Sequence, residues 1–106
     1  MVKACAQQGD ILWLEKEEQY VLVLSREFFN QSGMSVVCPL RENAEPDALH
    51  IGISSDEYKG TALLEHLRSL DLHARHYRKI SGISYEQIQD ISDAVQGIFD
   101  HYPFSI

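Results

Sequence analysis

Cysteine is scarce in this chain: Cys5 and Cys38 are the two among 106 residues, too few and too far apart for a disulfide framework or a zinc site. A reducing, cytoplasmic setting fits that usage. Cys38 is expected to be a buried apolar side chain and Cys5 a reducible thiol near the N-terminus. Long apolar runs are absent too, and none approaches the roughly 20 residues a membrane-crossing helix needs. No basic segment followed by an apolar stretch opens the chain, so no secretory signal is expected. Prolines number three, and no linker, internal repeat or low-complexity tract is visible. Residues 1–106 are therefore expected to fold as one domain around one core. Cations are outnumbered, nine Lys and Arg against sixteen Asp and Glu, for a formal net charge of −7. That balance excludes a protein that grips nucleic acid over its whole surface, because phosphate affinity comes from Lys and Arg displacing counterions.

What cations there are cluster. Arg68, Arg75, Arg78 and Lys79 stand against Asp71 alone in one short window, which carries about +3 while the rest sums to about −10. His73 and His76 lie in the same window and add charge below neutral pH. Their spacing occurs among metal ligands, but no matching Cys or His motif accompanies them, so no metal site is expected. The window reads either as a solvated connection or as a basic strip for a polyanion, RNA or an acidic partner segment.

Short apolar runs alternate with turn chemistry through the first half, the pattern of a small antiparallel sheet or barrel. Residues 11–15 and 20–25 read as strands joined by the acidic hairpin Lys16-Glu17-Glu18. Gln31-Ser32-Gly33 reads as a turn and 34–39 as a third strand, with ladder pairing expected to lapse at Pro39. Residues 42–47 read as loop. From 48 to 53, Leu49, Ile51 and Ile53 share one face and His50 and Gly52 the other. Residues 61–70 read as the strongest late strand, for a sheet of five or six strands. Trp13 and Tyr20 are expected to pack in the core, although an exposed Tyr20 would stack on a base.

The last element reads as a helix. Ser84 with Gln87 three residues on forms a capping-box pattern. Ile88, Ile91, Val95 and Ile98 recur at helical spacing with Phe99 beside them, one apolar stripe for the core. Gly97 weakens the final turn and Pro103 ends any continuation. The aromatic tail from His101 to Ile106 is expected to fold back on the barrel or to anchor a partner.

Six pieces in order and spacing carry a resemblance: Gly9-Asp10-Ile11-Leu12-Trp13, Val21-Leu22-Val23-Leu24-Ser25, Phe29-Asn30, Gly33-Met34, the apolar strand ending in Pro39, and Glu65-His66-Leu67-Arg68-Ser69 with Ala74-Arg75. Over roughly residues 9–99 the chain resembles the MazF/PemK (Kid-like) toxins of type II toxin–antitoxin systems. The resemblance implies a mainly β fold, an SH3-like small barrel of the MazF/PemK/CcdB type with a C-terminal helix, paired as a two-fold homodimer. It implies a cognate antitoxin partner, no cofactor, and metal-independent cleavage of single-stranded RNA, the chemistry of an mRNA interferase.

That reaction is attack of a ribose 2′-hydroxyl on its own phosphate, and it requires a base, an acid and donors for the growing negative charge. Active relatives place an arginine, followed by proline, just before the second strand, and a hydroxyl two residues after the third strand's proline. This chain has Gln19-Tyr20 and Arg41 at those places. The loop that carries polar site residues in relatives is cut to Lys16-Glu17-Glu18. The family's D-Q becomes Glu65-His66, where a histidine with an unperturbed pKa near 6.5 suits proton transfer. In a strand these two would face opposite sides and could not both enter the groove; if Glu65 faces it, His66 is structural or lies in the dimer interface. The candidate catalytic residues are therefore Arg41, Glu65, His66 and Gln19, with Arg41 in place of the missing arginine. Candidate RNA contacts are Arg68, Arg75, Arg78, Lys79 and Tyr20. The alternative is a member that has lost cleavage and acts by binding protein, an antitoxin-type partner or, as CcdB does, a topoisomerase.

Overall fold

A computed structural model of the chain describes residues 5–45 and 47–99. Seven strands, all paired antiparallel, form one curled sheet closed part-way into a barrel: β1 (Asp10–Leu14), β2 (Gln19–Val23), β3 (Met34–Arg41), β4 (His50–Ser54), β5 (Lys59–Leu63), β6 (Arg68–Asp71) and β7 (Tyr77–Gly82). A one-turn helix, α1 (Glu27–Asn30), follows β2, and the C-terminal helix α2 (Tyr85–Phe99) follows β7. The sheet runs β4-β5-β3-β2-β1-β7, with β6 also on β3. This is the mainly β architecture with a terminal helix that the sequence predicts, with seven strands where five or six are expected, because the 61–70 run divides in two and 77–82 adds an edge strand.

β3 organises it. One edge pairs with β2, while the other pairs with β6 as far as Val37 and with β5 from Leu40 onward. Pairing does not lapse at Pro39, which stays opposite Val21. Val36 carbonyl accepts from Leu24 on the β2 side, so alternation turns the nitrogen of Pro39 to the other side, into the gap between β6 and β5, where the ladder requires no donor.

The expected strand over 61–70 is two strands with a 3-10 turn, Leu64–His66, between them. Leu63 and Leu64 are both buried, as adjacent residues can be on a sheet covered on both faces. The break follows instead from β3, which pairs with β6 as far as Val37 and with β5 from Leu40. Tyr77–Gly82, which begins inside the window read as a solvated connection or a basic strip, pairs with β1 as an edge strand, bulged beside Ile11 and Leu12.

The sheet buries apolar side chains on both faces. Ile11, Leu22, Cys38, Leu40, Ile53, Tyr58, Ala62 and Leu64 pack with Ile91 of α2 on one face. Leu12, Leu14, Val21, Val23, Val37, Leu70 and Leu72 pack together on the other face. Trp13 is half-buried, its ring 4.6 Å from that of Tyr20, which lies 4.8 Å from Tyr58; Tyr20 is thus a packing residue. Along α2, Ile91 is buried and Ile88 and Val95 half-buried, but Ile98 and Phe99 are exposed. Ser84 Oγ caps the amide of Gln87 as expected. The Gln87 side chain, rather than returning to the Ser84 amide, bonds the N–H and C=O of Ser54 and so ties the helix to β4. The tail residues 101–106 lie outside the described residues.

Two motif residues have structural work. Gly9 adopts φ +92°, and a Cβ there would stand 2.6 Å from Ile88 Cδ1, so only glycine lets α2 settle on β1 without strain. Asn30 is buried and accepts from the Ser25 and Ser35 hydroxyls while donating to the carbonyls of Ala6 and Ser25. Its side chain fastens the N-terminal segment, the β2–α1 turn and β3 to one another.

Candidate active-site cleft

β2 begins at Gln19 and β3 ends at Arg41, and the register that sets Val21 opposite Pro39 brings these two ends side by side. By pleating, Gln19, Val21, Pro39 and Arg41 share one face of the sheet. Leu63, His66 and Arg68 close the same space from the β5–β6 corner, and together these residues line an open cleft of about 370 Å³. Val21, Pro39 and Leu63 make its apolar floor. Arg41 and Arg68 are exposed and have no carboxylate partner among the described residues.

The turn at 64–66 decides which of two neighbours enters. In a strand Glu65 would face the groove; in the 3-10 turn it is His66 that lines the cleft, while Glu65 turns to β4. Glu65 Oε2 lies 2.6 Å from His50 Nε2, and His50 Nδ1 lies 2.6 Å from the Glu45 carbonyl oxygen. His50 is held above its ordinary 6.5 by the Glu45 carbonyl and then by Glu65. Burial pushes Glu65 up, but the bonds to His50 and to its own backbone outweigh that and leave it below its ordinary 4.5. Both directions favour an ion pair. Nearby, burial and then the field of Glu65 push the Cys38 thiol up to about 12.

Gln19 is present but occupied. Its Nε2 donates to the Leu40 carbonyl at 3.0 Å and to the Tyr20 carbonyl at 2.8 Å. A flipped amide would set oxygen against two carbonyl oxygens, so the orientation is fixed by chemistry. Both hydrogens are taken, and Gln19 offers the cleft only an acceptor.

The remaining cations of the basic window are elsewhere and matched by acids. Arg75 Nη1 bonds Glu17 at 2.6 Å, Lys79 lies 3.2 Å from Asp10, and Arg78 lies 3.7 Å from Glu15. Arg75 lines a second cleft of about 390 Å³ with Lys16, Glu17, Asp71, Ala74 and His76. His73 instead packs against Gly33. Of the sequence-derived set, Arg41, His66, Arg68 and Gln19 converge on the first cleft, and Glu65, Tyr20, Arg75, Arg78 and Lys79 do not line it. His50 had no sequence signal beyond facing outward, because its carboxylate partner is 15 residues away in sequence.

Residues 7–99 match the family described as PemK-like, MazF-like toxin of type II toxin-antitoxin system. The chain belongs to this family. Among solved structures, MazF in the MazE–MazF complex of Deinococcus radiodurans is similar with a TM-score of 0.82 at 20% identity, over 92% of this chain and 98% of that one. An endoribonuclease from a mycobacterial species is similar with a TM-score of 0.80 at 12% identity, over 93% and 95% of the two chains. A mycobacterial endoribonuclease solved with its cognate antitoxin gives 0.78 at 11% identity, over 92% and 99%. At such identities the likeness is one of fold. No curated protein sequence matches the chain. The cleft, with Gln19 and Arg41 at its rim, lies within the matched residues.

Proposed function

We propose that this family member is the toxin of a toxin–antitoxin pair and cleaves single-stranded RNA without a metal, at a site rebuilt around Arg41, His66 and Arg68. The observation that carries this reading is the meeting of those three side chains over an apolar floor in one open cleft. A phosphate between Arg41 and Arg68 receives two cationic donors where charge develops. His66, as neutral imidazole, takes the proton of the 2′-hydroxyl; O2′ attacks phosphorus, the P–O5′ bond breaks, and the leaving 5′-oxygen takes a proton from solvent in the open cleft. The products are a 2′,3′-cyclic phosphate and a 5′-hydroxyl. The active unit is a homodimer, and an antitoxin is its protein partner, as in the MazE–MazF complex of Deinococcus radiodurans.

One observation favours the second reading, a member that binds protein without turnover. The family arginine is replaced by Gln19, whose donors are bound to backbone, and losing one such donor slows catalysis by about a hundred- to a thousandfold. Incubation of the purified protein with a mixed single-stranded RNA in EDTA separates the two. Fragments ending in cyclic phosphate support cleavage; growth arrest on expression with no cleavage above a protein-free control supports protein binding.

A further inference from the structure

We infer that His50 is a positioning residue, holding together the two chain segments that deliver Arg41 and His66 to the cleft. The inference rests on the reading of that cleft as the reactive site. His50 stands on β4, outside the cleft, and its two ring nitrogens reach in different directions: Nδ1 to the Glu45 carbonyl and Nε2 to the Glu65 carboxylate, each at 2.6 Å. Glu45 belongs to the loop that leaves β3 directly after Arg41. Glu65 is the neighbour of His66 in the 3-10 turn. One imidazole thus bridges the segments that follow one cleft residue and adjoin the other.

The bridge requires a proton. A carbonyl oxygen and a carboxylate only accept, so both contacts are hydrogen bonds only when both ring nitrogens carry hydrogen. A neutral ring has one N–H, and its bare nitrogen would face an oxygen lone pair at 2.6 Å. On that side the contact opens, freeing either the 42–45 loop or the 64–66 turn. The charged and titratable groups around His50 are few. Asp47, on the approach to β4, binds the His50 amide through its carbonyl and adds a negative field. Glu65 faces it from the turn, with His66 adding to the field at Glu65, and Cys38 on β3 stays a neutral thiol. Because His50 is held above its ordinary 6.5, the bridge is intact below that value and opens as pH rises through the raised one.

The test is an NMR titration of the full chain over roughly pH 5 to 9, following His50 Cε1–H, Arg41 Nε–H and the His66 amide in the parent, Glu65→Gln and His50→Gln. The expected result is a His50 midpoint above 6.5, shared by Arg41 and, beyond the step of its own ring, by His66. Glu65→Gln should move all three midpoints down together, and His50→Gln should remove the shared step while the protein still melts cooperatively. If His50→Gln fails to fold, Glu65→Gln carries the test alone. A His50 midpoint at or below its ordinary value, or Arg41 and His66 signals that do not follow it, overturns the inference. No RNA enters the titration, so failure to cleave RNA counts against the cleft's proposed activity alone, and unlinked midpoints count against His50 alone.

Discussion

At the scale of single residues, neighbours decide what a side chain can offer. Gln19 and Arg41 both border the cleft, yet the amide is bound to backbone carbonyls while the guanidinium is free among the described residues, so at this end of the cleft the positive charge sits on β3 and not on β2. Cys38 is the reverse case, a thiol made inert by its surroundings. With its pKa pushed up to about 12, it should resist iodoacetamide in the folded protein at pH 8 and react only after unfolding. Asn30 was legible as part of a motif, but its role was not, because a buried amide that satisfies two hydroxyls and two carbonyls is defined by groups from three segments. Asn30→Ala leaves those carbonyls unpaired and should cost about 1–3 kcal/mol by chemical denaturation, with Ser35→Ala costing less.

At the scale of elements, the strands and the helix whose periodicity was clean were readable, β1, β2 and α2 to within a residue or two. The misreadings have physical causes. The run from Thr61 to Leu70 holds no glycine or proline to mark its break; the break is set from elsewhere in the chain, by β3, whose one edge takes β5 and β6 in succession. β7 was hidden because its sequence is basic and its stability comes from pairing with β1, and paired acids on β1 and its hairpin absorb the charge of Arg75, Arg78 and Lys79. Ile91, by contrast, follows from spacing alone, and it is buried between α2 and the sheet. Ile91→Asp places an unpaired charge there and should cost about 3–5 kcal/mol; a melt like that of the parent would contradict the packing. Stability should also follow the His50–Glu65 pair. The raised His50 contributes fully below 6.5 and loses its contribution as pH rises through the raised value, whereas the lowered Glu65 contributes above 4.5 and loses it as pH falls through the lowered value. Thermal melts across pH should show a plateau between these limits, and His50→Gln should flatten the alkaline side.

At the scale of the molecule, an acidic protein presents one cleft with two unmatched arginines, and charge placement rather than net charge decides where a polyanion binds. Arg41→Gln with Arg68→Gln should weaken RNA binding and flatten its salt dependence by about two counterions. Replacing Arg75, Arg78 and Lys79 should change the slope less, because each faces a carboxylate. Light scattering at tens of micromolar across moderate salt should give twice the chain mass if the proposed homodimer forms. The claim on which the rest depends is that Arg41 has taken over the cationic role at a cleft where Gln19 gives no donor. Single-turnover cleavage of single-stranded RNA in EDTA tests it directly, comparing the parent with Arg41→Ala and with Gln19→Arg plus Tyr20→Pro, each checked for a parent-like melt. The account predicts a loss of about a hundredfold or more for Arg41→Ala and a gain for the restored Arg-Pro pair; an Arg41→Ala rate equal to the parent's would contradict it.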